Sequence, residues 1–132
     1  MIDDDGRVIH DIRLEHPVER VWRAIAERDE LAQWLMTNDF EPRVGHRFRF
    51  DAGPPRGFID AEVLVLDPPR RIAWRWMLDG VATTVTITLE PDGDGTRLHL
   101  EHTDLPDDLR SRFEPGWTEK FAALTAALER VP

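Results

Sequence analysis

Ser111 is the only serine in the chain and there is no cysteine, so a side-chain nucleophile has few candidates. Ser111 lies among Asp108, Arg110 and Arg112. No histidine is close in sequence and no glycine elbow strains it, so it reads as a surface residue. The five histidines, His10, His16, His46, His99 and His102, form no H-E-x-x-H pair. His99 and His102 fall on opposite faces of one strand and cannot share a metal. His46 and His99 read as solvent-facing, whereas His102 continues an apolar row at the rim of a sheet. Asp60 and Glu62 alternate with apolar residues and read as an outward face. "PDGDG" is a turn with too few oxygen ligands for calcium, and no glycine-rich loop between strand and helix offers a phosphate cradle. No catalytic residue, metal site or cofactor is therefore expected.

What remains is aromatic. Residues 71–77, "RIAWRWM", hold two of the five tryptophans. Residues two apart in a strand share a face, so Trp74 and Trp76 point the same way. Phe48 and Phe50 repeat that spacing, Val85 and Ile87 extend the inner face, and Trp34 sits on a helical stripe. Phe113, Trp117 and Phe121 step by four along another stripe. Such rings either fill a core or wall a ligand pocket. A buried indole needs a partner for its N–H in either case. With His102, these residues are the candidate ligand contacts.

The elements that would carry them are legible. Val8, Ile12 and Leu14 alternate with polar residues in "RVIHDIRLE", a strand signal. "HPVERVWRAIAE" follows, with Pro17 at the first helical position and Val18, Val21, Trp22 and Ile25 as a stripe, placing Trp22 in the core. Asp29 is expected to cap a short helix, "DELAQWL". From residue 39 the period is two: "DFEPRV", "HRFRFD", "FIDAEVLVL", "RRIAWRWM", "ATTVTITLE" and "TRLHLEHT" are six candidate strands, separated by short turns that imply antiparallel neighbours. In "FIDAEVLVL", Ile59, Ala61, Val63 and Val65 share a face but Leu64 and Leu66 oppose them. A bulge or a partly covered outer face would account for this. Leu109, Phe113, Trp117, Phe121, Leu124 and Leu128 form the last stripe. Pro115 within it predicts a break, giving a helix over 106–113 and a longer one from 115 to about 130.

Composition sets the frame. At 132 residues the chain suits one domain, residues 1–132, with residues 1–6 a flexible acidic tail. The net charge of −9 argues against a nucleic-acid partner. No apolar run approaches the roughly 18 residues of a membrane span. The acidic amino terminus lacks a secretory pattern, and a cytoplasmic location is expected. Lys120 is the only lysine. Arginines 43, 47, 49, 56, 70, 71 and 75 cluster in the middle third, as solvated strand faces or as the rim of a site for an anion.

In order and spacing, "HPVERVWRAI", "DELAQWL", "FEPRVGHRFRF", "EVLVLDPPRRIAWRW", "VTITLEPDGDGTRLHLEHT" and "GWTEKFAALTAAL" resemble the START-like, helix-grip (SRPBCC) superfamily. Within it they are similar to the family related to the activator of Hsp90 ATPase carboxy-terminal domain. The resemblance covers about residues 7–130. His46 stands where the family commonly has a second glycine, and His16 where a helix-starting serine is usual, which implies a weaker cap. The resemblance implies an α+β fold in which a seven-stranded curved antiparallel sheet wraps a long carboxy-terminal helix, with two short helices after the first strand. It also implies a small apolar or aromatic molecule held between sheet and helix, in a monomer or homodimer. An enzyme acting on a polyketide-like substrate, and an interaction module of the Hsp90-activator type, are the alternatives.

Overall fold

The computed structural model describes residues 1–130. The chain runs β1 (Val8–Leu14), α1 (Val18–Ala26), α2 (Arg28–Trp34), β2 (Thr37–Asn38), β3 (Arg47–Asp51), β4 (Phe58–Asp67), β5 (Arg71–Leu78), β6 (Val81–Asp92), β7 (Gly95–Thr103) and α3 (Asp107–Arg130). The strands form a seven-stranded sheet in the order β1-β7-β6-β5-β4-β3-β2, antiparallel throughout. This is the α+β helix-grip architecture. One sheet face buries Phe48, Phe50, Trp74, Trp76, Val85, Ile87, Leu98 and Leu100 against Trp117, Phe121, Leu124 and Leu128 of α3. Asp79 and Gly80, both at positive φ (52° and 80°), make the tight turn that a two-residue Asp-Gly hairpin requires. That turn sets the register of β5 against β6.

The structure corrects the sequence reading in several places. Residues 107–130 form one helix, with Pro115 inside it. Proline removes one backbone hydrogen bond and crowds the preceding turn, at a cost of about 3 kcal/mol. Leu109 on one side of it and Trp117, Phe121, Leu124 and Leu128 on the other all bury in one core. Each such side chain is worth about 1.5–3 kcal/mol, so packing outweighs the local break. "DFEPRV" is not a strand: pairing with β3 is confined to Thr37–Asn38. Beyond it, Asp39 N–H still reaches the Arg49 carbonyl (3.3 Å), but side chains take the next donors, with Phe40 N–H on Asn38 Oδ1 (3.0 Å) and Arg49 N–H on Asp39 Oδ1 (2.7 Å).

In β4 the register shifts between Val63 and Val65, a bulge. Leu66 therefore pairs with inward Ile72, while Val65 turns out to the surface. The residue preceding α1 is Pro17, with no side-chain cap, and α2 starts at Arg28 after an equally uncapped Glu27. Asp29 therefore lies in the first turn of α2 instead of capping it. Trp22 is only partly buried. The acidic amino-terminal segment folds back on β1 through an Ile2–Val8 bridge. The terminal ammonium donates to the Ile9 carbonyl (3.0 Å) and to Glu114 Oε1 (2.9 Å). No helix among the described residues is long and apolar enough to cross a membrane.

Candidate functional site

Strand alternation turns Trp74 and Trp76 to the same inner face, where both are buried. They meet edge to face at 6.2 Å, and Phe50 touches both, at 5.9 and 5.5 Å. From α3, Trp117 approaches Trp76 at 5.7 Å and stacks on Phe121 at 5.5 Å, and Phe121 stacks in turn on Trp34 at 6.2 Å. Most of the ring surface is thus spent on other rings. Phe48, Phe50, Trp74, Val85 and Ile87 are core, and so are Trp34 and Phe121.

His102 sits behind this mesh, fully buried. Its Nε2 lies 2.9 Å from Thr83 Oγ1, whose hydroxyl donates to the Trp76 carbonyl at 2.8 Å. The Thr83 oxygen therefore accepts from His102 Nε2–H. Trp117 Nε1–H, which can only donate, gives its proton to His102 Nδ1 at 3.1 Å. The ring is a neutral Nε2–H tautomer with both nitrogens engaged. Burial pushes its pKa down to about 3, because no carboxylate repays the desolvation of an imidazolium. This closed relay ties β6, β7, β5 and α3 together. It leaves His102 no nitrogen with which to move a ligand proton, and His102 does not line the slot described next.

Between α3 and the sheet lies a slot of about 230 Å³, lined by Leu35, Met36, Ala52, Arg56, Ile59, Trp76, Phe113, Gly116, Trp117 and Lys120. Of the residues singled out in the sequence, Trp76, Phe113 and Trp117 line it. The sequence reading did not single out Leu35, Met36, Ala52, Arg56, Ile59 and Lys120, which also line it. Lys120 carried a signal, as the sole lysine one helical turn beyond Gly116.

Gly116 lines the slot from α3. It lies inside a helix, where glycine costs about 0.5–1 kcal/mol relative to alanine. A Cβ placed there would meet no atom within 4 Å. Trp34 donates its indole N–H to the Ala24 carbonyl at 2.8 Å. The indole nitrogens of Trp74 and Trp76 are buried without a hydrogen-bond partner among the described residues, a deficit of about 1–3 kcal/mol each.

The remaining polar candidates lie elsewhere. A larger hollow of about 550 Å³ lies on the outer sheet face, but its charges pair across it: Glu62 holds Arg75 at 3.0 Å and Arg47 at 3.6 Å. His46 is tucked in rather than solvent-facing. Its Nε2 is 3.0 Å from the Asp39 carbonyl and its ring stacks on Phe48 at 6.0 Å. His99 is half-exposed and bonds Asp11 at 2.7 Å. Burial alone would lower its pKa, but the hydrogen bond and charge of Asp11, helped by Glu101, raise it. Ser111 is exposed on α3. No group of three or more His, Asp or Glu residues that could hold a metal occurs among the described residues.

Known structures share this fold. Protein MLL2253 from Mesorhizobium loti superposes with a TM-score of 0.87 at 32% identity, over 96% of this chain and 98% of that one. DynU16, a protein of the dynemicin biosynthetic locus, gives 0.85 at 27% identity over 96% of this chain, which spans 48% of DynU16. CalU16 from Micromonospora echinospora shares the fold, with a TM-score of 0.82 at 24% identity over 97% and 81% of the two chains. No functionally curated protein matches the sequence. The family described as activator of Hsp90 ATPase homolog 1-like protein matches residues 15–129. The chain belongs to that family, within the START-like superfamily.

Proposed function

We propose that this domain binds a small, flat, apolar molecule in the slot between α3 and the sheet, against Trp76, Phe113 and Trp117. The observation that carries the reading is Gly116. A mid-helix glycine costs stability relative to alanine, and the slot that Gly116 lines is also lined by Trp76, Phe113 and Trp117. The slot is smaller than the roughly 300–1,000 Å³ of drug-sized pockets, which suits one or two fused rings. The place of DynU16 in a biosynthetic locus is in keeping with a domain that handles a small organic molecule.

Native mass spectrometry of the purified protein tests this reading directly. A retained small molecule, absent from Gly116→Leu, supports the site. Leucine at 116 fills open space and keeps a good helix former, so the variant should stay folded. A molecule retained equally by wild type and Gly116→Leu would place binding elsewhere.

A further inference from the structure

We infer that the ligand is an anion: a flat apolar carboxylate, its rings in the slot and its charge held at the mouth by Lys120 and Arg56. The inference rests on the slot being a binding site.

The residues lining the slot include two charged side chains, Lys120 and Arg56, and no acid. That is an unusual balance for a chain of net charge −9, and Lys120 is its only lysine. Both cations are half-buried, a position where a charge acts through a lower dielectric than bulk water. Lys120 Nζ donates to the Leu35 carbonyl at 2.9 Å, at the carboxy-terminal end of α2. Capping a helix end is a sufficient structural role for one N–H of a lysine. An ammonium has three, and Lys120 has no carboxylate partner among the described residues.

Arg56 approaches from the turn between β3 and β4. One nitrogen pairs with Asp79 at 3.2 Å, and the guanidinium lies 5.9 Å from the centre of the Phe113 ring. The rest of its donor fork is not engaged by that single contact. Lys120 lies one turn along α3 from Gly116, so the helix face that opens the slot also brings an ammonium to its rim. A carboxylate there stays near solvent and avoids the cost of burying a charge deep in the core. An apolar cation would meet the Lys120 ammonium and the Arg56 guanidinium, and a neutral ligand would offer no charge to the N–H donors that the Leu35 carbonyl and Asp79 leave over.

The test is isothermal titration calorimetry with a matched pair, 2-naphthoate and its neutral amide, 2-naphthamide. The proteins are wild type, Lys120→Met and Arg56→Gln, each shown to be folded by its thermal melt. Charge-assisted hydrogen bonds are about twice as strong as neutral ones, so wild type is expected to bind the acid roughly tenfold more tightly than the amide. Each variant should lose most of that preference and keep its affinity for the amide. Arg56 lies in a turn outside the helices, so Arg56→Gln keeps the test valid if Lys120→Met loosens α2. Equal affinity for acid and amide in wild type would overturn the charge assignment and leave the binding site standing. Failure of both compounds to saturate wild type would overturn the site and the charge assignment together.

Discussion

At the scale of single residues, His102 makes the sharpest statement about stability. It is held neutral in the folded state with a pKa near 3, against about 6.5 in an unfolded chain. Protons therefore bind the unfolded chain first. The stability that His102 contributes is complete above about pH 6.5 and is lost as pH falls toward 3. Replacing it with leucine leaves the Trp117 N–H without its acceptor, at a cost of about 1–3 kcal/mol at neutral pH. At pH 4.5 the native histidine carries a penalty of its own of about 2–3 kcal/mol. The stability gap between wild type and His102→Leu should therefore close or reverse between pH 7.5 and pH 4.5 in urea unfolding. A gap that does not change with pH would mean that His102 is not held neutral. The sequence placed His102 on the inner face, but not its partners. Thr83 and Trp117 come from different elements, and only the folded register brings their polar atoms to one ring.

At the scale of elements, α3 carries the argument. Phe121 stacks on Trp117 and Trp34 and meets His10 edge-on at 5.9 Å. Phe121→Ala should cost about 3–5 kcal/mol by chemical denaturation. A loss below half a kcal/mol would contradict the assigned stripe. Gly116→Ala should do the opposite. It removes a helix-interior glycine into open space and should add about 0.5–1 kcal/mol, while narrowing the slot. Together the two substitutions separate the face of α3 that packs from the face that opens.

The stripe itself was legible from the four-residue steps between Leu109 and Phe121. The continuity of the helix was not, because Pro115 is a local signal and the burial on either side of it is a tertiary one. The bulge in β4 has the same character. Two-residue alternation fails at Leu64 and Leu66 in the sequence, but which residue turns out is settled by pairing with β5. That pairing selected Val65.

At the scale of the whole molecule, the fold was readable because strand alternation, turn chemistry and the final amphipathic helix all agreed. The slot was not. Its lining comes from the end of α2, the β3–β4 turn, β4, β5 and α3, segments brought together only by the wrap of the sheet. Ring spacing alone pointed to many aromatics, yet Phe50, Trp74 and their neighbours meet each other and fill the core. The residues that make a space are those with little or nothing to put in it, Gly116 and Ala52, and small residues leave no periodic signature.

The most direct test of the account is the indole region of a ¹H–¹⁵N NMR spectrum, with the five tryptophans as reporters, during titration with 2-naphthoate and 2-naphthamide. The account expects the Trp76 and Trp117 signals to move together and saturate with at least one compound. The Trp22 signal should stay fixed, and the response should disappear in folded Gly116→Leu. Saturating movement that survives in Gly116→Leu, or no saturating movement with either compound, would contradict the claim that this slot is where the protein binds.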